Sequence, residues 1–265
     1  MPEILSEDEL LLIAQKFTGS YVSDRPEILG VLLVGSSMIG VFDRFADIDL
    51  MVFSDDESVR RRKAEGKGYN EEYWIEGVEV CVDWHPIETM ENMIKAQKED
   101  WYLWIMSNSR ILFDCRGRLR KAIGNLKPYP LDLQRRKAFN RYYHLRARVS
   151  DMKKCVERGE YEAASILSYQ ALDQFTQLLF LVERRYVPYE KLRFHEMRRL
   201  HVGESYLPEI RRILCISCLE KEELTKKVQI LERIIQSTEA QLLKLGIPHE
   251  WLGKEWWRYE PDWDA

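Results

Sequence analysis

The chain has 265 residues, 45% hydrophobic and 32% charged, with a formal net charge of −4. That is an ordinary globular composition near the length at which one core gives way to two, so two domains are the default. The weak acidity argues against a nucleic-acid carrier that works by bulk positive charge, and five cysteines in no regular framework fit reduced thiols in a cytoplasmic protein.

The N-terminus, MPEILSEDEL, has neither the basic nor the apolar region of a signal peptide, and no run is apolar for the length of a membrane span. Ser6-Glu7-Asp8-Glu9 is a capping-box pattern. It predicts a helix with a buried stripe of Leu10, Leu11, Ile13, Ala14 and Phe17. Gly30 to Phe53 then reads as a strand (Val31–Val34), a tight Gly35-Ser36-Ser37 turn, a short helix, a loop and a second strand. That second strand opens with Asp47-Ile48-Asp49. Residues i and i+2 of a strand share a face, so Asp47 and Asp49 project together while Ile48 turns to the core. Two neighbouring carboxylates at a buried strand are costly without a cation between them, and a divalent metal meets that need.

The charged stretch Asp55 to Gly68, with Arg60 to Lys63 at its centre, predicts a solvated helix face and not a phosphate patch. Tyr69–Ile75 and Val78–Trp84 read as strands joined at a Glu76-Gly77 hairpin. In the second of them Val78, Val80 and Val82 alternate with Glu79, Cys81 and Asp83. A helical period returns over Pro86–Lys98, then a short strand, Arg110–Asp114, and a closing helix, Arg116–Asn125. Lys127-Pro128-Tyr129-Pro130 blocks both helix and central strand and marks the linker, giving domains 1–127 and 128–265. Long helices follow: Leu131–Arg158 closed by Gly159, Tyr161–Tyr186, Leu192–His201, Leu207–Cys218 and Glu220–Leu245. Trp251, Trp256, Trp257, Tyr259 and Trp263 make the tail too aromatic for disorder, and it is expected to pack back across a groove.

Three carboxylates carry the candidate chemistry: Asp47, Asp49 and Asp83. If the strand ending near Asp83 lies beside the Asp47 strand, they form a cluster able to hold two Mg²⁺ ions. Gly35-Ser36-Ser37 supplies the complement, with close backbone approach, seryl hydroxyls and free N–H groups at the start of the short helix. A phosphate cradle facing a metal cluster is what in-line phosphoryl or nucleotidyl transfer needs.

Gly35-Ser36, ten residues, then Asp47-x-Asp49, with Asp83 as a later strand acid, resembles the nucleotidyltransferase superfamily that shares the DNA polymerase β catalytic fold. The two-domain layout is similar to the antibiotic nucleotidyltransferases for aminoglycosides and lincosamides. The resemblance implies an α+β fold: a mixed sheet with flanking helices, then an all-α helical domain acting as substrate-side lid. It also implies Mg²⁺, a nucleoside triphosphate donor, usually ATP, release of pyrophosphate, and metal ligation by Asp47, Asp49 and Asp83. Triphosphate binding falls to Gly35, Ser36 and Ser37, and Lys191 stands where relatives bring a lysine to the phosphates. The sequence departs from many antibiotic enzymes in having Ala46, not Ser, before the first acid, which removes one polar contact to the phosphates.

The acceptor's proton is expected to pass to Asp83 or to a carboxylate of the helical domain, for which Glu162, Asp173 and Glu183 are candidates. Arg135, Arg136, Lys137, Arg141, Arg146 and Arg148 form a basic helix stretch, best read as solvated. His85 reads as a structural strand-end histidine, Cys215-x-x-Cys218 as core cysteines lacking a second pair for zinc, and His195 with His201 as too widely spaced for a zinc protease. The acceptor is an unknown small molecule or protein, with nucleic acid and membrane disfavoured. Two rival readings are a nucleotide-binding sensor without turnover and an antitoxin-like regulatory partner. The second is weakened by seven residues between Arg136 and His144, where the associated ribonucleases have four to six.

Overall fold

The computed structural model describes residues 5–41, 46–126, 128–215, 218–253 and 255–259. Lys127 of the expected linker and Trp263 of the expected aromatic tail lie outside them. Ser6 caps α1 (Glu7–Ser23) in a complete capping box: the Glu9 amide donates to Ser6 Oγ, and Ser6 N–H donates to Glu9 Oε2 at 2.8 Å. The contacts divide the chain into two units, Met1–Lys127 and Pro128–Ala265.

The first unit is built on five strands: β1 (Ile28–Val34), β2 (Ile48–Ser54), β3 (Asn70–Ile75), β4 (Val78–Pro86) and β5 (Arg110–Asp114). Their order is β3-β4-β2-β1-β5. Only β2 and β4 run parallel; the other neighbours are antiparallel, so the sheet is mixed. The parallel pair exists because α2 (Asp56–Ala64) and β3 carry the chain back before β4 begins. β3 and β4 are joined at Glu76 and Gly77, both at positive φ (53° and 82°), as a tight hairpin requires. One face of the sheet presents Val31, Leu33, Ile48, Leu50, Val52, Val80 and Val82 to Leu10, Ile13 and Ala14 of α1. Against the other, α5 (Arg118–Gly124) sets Leu119 where a side chain at Gly30 would sit. The unit also contains α3 (Ile87–Ala96) and α4 (Asp100–Ser107), and α4 has no counterpart in the sequence reading.

A polar network ties β3 to the core. Glu71 accepts from Tyr21 Oη at 2.5 Å and Tyr73 Oη at 2.6 Å and is ion-paired with Arg62. Trp84 Nε1 donates to Tyr21 Oη at 3.1 Å, and the Arg62 guanidinium lies 4.1 Å from the Trp84 ring centroid. Burial alone would raise the Glu71 carboxyl, but the three donors more than offset it and hold it below its ordinary value. A depressed carboxylate contributes stability above its unfolded pKa, and that stability is lost as pH falls through the folded value. Glu71→Gln is therefore expected to lose about 2–3 kcal/mol at neutral pH and to flatten the acid limb of the stability profile, as read by denaturant titrations between neutral and acid pH.

The second unit is helical. α6 (Leu131–Arg158) turns at Gly159 (φ 78°) into α7 (Tyr161–Val182), and α10 (Lys221–Lys244) packs on both. α8 (Glu190–Met197), α9 (Leu207–Leu214) and α11 (His249–Leu252) complete it. The described part of the tail packs on α6, as its aromatics predict. Trp251 meets Phe139 at 4.9 Å and Trp256 meets Tyr143 at 4.8 Å between ring centroids. The Tyr142 hydroxyl lies 2.7 Å from the Leu252 carbonyl. Among the described residues no helix is long and apolar enough to cross a membrane.

Candidate active site

β1 delivers the chain to Gly35, which sits at φ 88°, ψ −164°. The preceding residue, Val34, pairs with Asp49 of β2. A Cβ on Gly35 would overlap Asp49 Oδ2 and stand 3.0 Å from its Cγ. Glycine is therefore needed here twice, for the positive φ and for the close approach to the carboxylate. The short helix expected here is a four-residue 3₁₀ turn, Ser36–Ile39. A turn of that length offers little helix dipole, so any phosphate affinity here rests on backbone N–H groups and the seryl hydroxyls. Ser36 and Ser37 are buried, and Ser37 Oγ has no hydrogen-bond partner among the described residues.

Asp47 stands just before β2 and Asp49 within it, both half-buried, while Ile48 between them is fully buried. The parallel register pairs Ile48 with Val80, Asp49 with Cys81, and Met51 with Asp83. Cys81 is therefore the residue directly beside Asp49, and Glu79, one step before Val80, comes level with Asp47. Burial pushes the Cys81 thiol up, and the charges of Asp49, Glu79 and Asp47 push it further, to about 11.

Asp83 lies elsewhere. Two residues along the strands place it roughly 7 Å beyond Asp49's level. It shares a cleft with His85, Tyr69, Asn70, Arg60 and Lys63. Burial raises Asp83, with His85 opposing, and burial lowers His85, with Asp83 opposing. The structure thus gathers Asp47, Asp49 and Glu79 around Cys81 and sets Asp83 apart from them. Among the described residues, no three His, Cys, Asp or Glu groups are placed to hold one ion. Glu79 was missed in the sequence, although its alternation with Val78 and Val80 had already put it on the correct face.

The remaining candidates lie in the second unit. Lys191 is exposed in the first turn of α8. Asp173 is ion-paired with Arg193 and accepts from Gln177 at 2.8 Å. Glu183 accepts from the Val202 amide at 3.1 Å and lies 3.0 Å from His201 Nδ1. Glu162 is exposed. Structural partners thus occupy two of the three proposed bases. Cys215 is exposed and Cys218 half-buried, and both lie between α9 and α10, so the expectation of two helical core cysteines does not hold.

The donor set fits a hard divalent cation. Mg²⁺ takes one or two protein carboxylates and completes its shell with water and substrate phosphate oxygens. Asp47 and Asp49 supply two such carboxylates, and the Gly35 backbone approaches Asp49 closely with no side chain between them. The Cys81 thiol, held protonated, is a poor competitor for that ion.

Residues 18–104 match the family model described as a nucleotidyltransferase domain. Residues 96–192 match one described as a domain of unknown function, DUF4037. A search of curated proteins returns no match. Among solved structures, the chain is similar to a nucleotidyltransferase-like protein from Exiguobacterium sibiricum 255-15, at 18% identity and a TM-score of 0.53, over 88% of this chain and 78% of that one. That likeness is one of fold. The match of residues 18–104, which span β1 to β4, identifies a nucleotidyltransferase domain within the first unit.

Proposed function

We propose that the protein transfers AMP from ATP, with Mg²⁺, to a hydroxyl of a small-molecule or protein acceptor and releases pyrophosphate. The observation that carries this reading is the position of Asp49, with the Gly35 turn against one side and Cys81 and Glu79 on the other. Asp47 and Asp49 would hold the ion, which when bound neutralises charge on the phosphates and favours ionisation of an attacking hydroxyl. The Gly35-Ser36-Ser37 backbone and hydroxyls would orient the triphosphate. The acceptor oxygen attacks the α-phosphorus, the bond from that phosphorus to the bridging oxygen breaks, and pyrophosphate leaves with the bonding pair. The hydroxyl proton passes to a carboxylate on the β4 side, for which Glu79 is the nearest to Asp47 by register, and then to solvent.

The test is a screen of the four labelled nucleoside triphosphates with Mg²⁺ and a panel of hydroxyl acceptors, including aminoglycosides and lincosamides. Pyrophosphate release with ATP and a product heavier by one AMP are expected. Absence of both with every nucleotide would overturn the proposal.

A further inference from the structure

We infer that the acceptor approaches from the β4–β3 side of the acid pair and rests a ring face against Trp74. This inference rests on the transfer chemistry proposed above. In-line displacement puts the attacking and leaving oxygens on opposite sides of phosphorus. The Gly35 turn, which would take the leaving pyrophosphate end, lies on the β1 side of Asp49. The sheet order β3-β4-β2-β1-β5 therefore leaves β4 and β3 as the side of attack.

On that side the register leads to one residue. Glu79 is level with Asp47, and Trp74 of β3 pairs with Glu79. Paired positions project to the same face, so Asp47, Glu79 and Trp74 form a row across three strands. At the usual spacing of neighbouring strands the row is about 10 Å long. That is a suitable span between a reacting hydroxyl and the far ring of a small organic molecule. Trp74 is 70% exposed, the most exposed large apolar side chain among the described residues. Its strand neighbour on the opposite face, Tyr73, packs against the core. An indole held in water beside a reaction centre offers a stacking surface that no residue of the unit's core uses.

Charge narrows the class of ligand. By register Glu72 stands beside Cys81 and Glu79 beside Trp74, so two carboxylates outside the proposed ion-binding pair flank the approach. An approach lined this way disfavours anionic acceptors and admits neutral or cationic ones. The acceptor is accordingly a hydroxyl compound with an exposed ring and zero or positive charge. Trp74 is a positioning residue, remote from the reacting atoms.

Three ring probes of graded charge test this on the full chain: 4-(aminomethyl)benzyl alcohol, benzyl alcohol and 4-(hydroxymethyl)benzoate. Binding is read by saturation-transfer NMR in the presence of a non-hydrolysable ATP analogue and Mg²⁺, so no turnover is needed. The cationic and neutral probes are expected to bind and the anionic probe to bind at least about fivefold more weakly. W74A should weaken binding of the first two about tenfold, and W74F should restore it to within about twofold. Equal binding by W74A and the wild type, no binding of any probe, or preference for the anion would each overturn the inference. Trp74-dependent binding without pyrophosphate release from any nucleotide would overturn the transferase reading alone.

Discussion

Asp49→Asn is expected to lower pyrophosphate release by about a thousandfold or more while leaving a folded protein. The substitution keeps the side chain's size and its place between Gly35 and Cys81 but removes the charge that would bind a divalent ion. Charge stabilisation by a bound metal amounts to several kcal/mol in the transition state, and each 1.36 kcal/mol is a factor of ten. Circular dichroism and thermal melts check the fold; a coupled pyrophosphate assay checks turnover. A second readout is independent of catalysis. Burial and then the Asp49 charge are the two largest causes holding the proton on Cys81. Removing that charge lowers the thiol pKa, so iodoacetamide should alkylate Cys81 faster in D49N than in the wild type at pH 9. Turnover within tenfold of wild type would show that Asp49 does not carry the reaction.

Gly35→Ala should damage stability and activity together. A non-glycine residue at φ 88° costs about 1–3 kcal/mol in backbone strain. Beyond that, the new methyl would overlap Asp49 Oδ2, so the carboxylate must move. Displacement of a reacting group by about 1 Å is enough to lose about a hundredfold in rate. Urea denaturation should therefore show a loss of about 2–3 kcal/mol, and steady-state kinetics a kcat reduced by about two orders of magnitude. The two terms separate in a cycle. Asp49→Ala removes the overlapping atoms, so the G35A/D49A double variant should recover part of the stability lost in G35A while remaining inactive. Strict additivity of the two stability changes would mean that the methyl and the carboxylate do not meet.

Local pattern carried much of this architecture. The capping box at Ser6, the αL closure at Gly159 and the Glu76-Gly77 hairpin each rest on a few adjacent residues, and each is found where the sequence places it. Alternation also identified the face of β4 that bears Glu79, Cys81 and Asp83. Alternation has a period of two and says nothing about level, so it could not show which of the three stands beside Asp49. That depends on the pairing of strands more than thirty residues apart, and the register selects Cys81 and Glu79. α4 escaped notice because Asp100–Ser107 is apolar on nearly every side, with Tyr102, Leu103, Trp104 and Met106 all buried. A helix without a polar face has no amphipathic period to read. The short helix after Gly35 takes 3₁₀ form, and its four residues end at Gly40, itself in the αL region.

The insertion of β4 between β2 and β3 also bears on the order of events during synthesis. Asp49 and Cys81 are 32 positions apart, and a chain emerges N-terminus first at about 5–20 residues per second. β1 and β2 can pair as soon as both have emerged, because their antiparallel contact is local. For some seconds afterwards the far edge of β2, with Leu50, Met51, Val52 and Phe53, has no neighbour. An unpaired apolar edge is a template for other chains. The nascent protein therefore passes through an interval in which it is sticky and its acid pair has no wall on the β4 side, and ribosome stalling between residues 54 and 78 would prolong it.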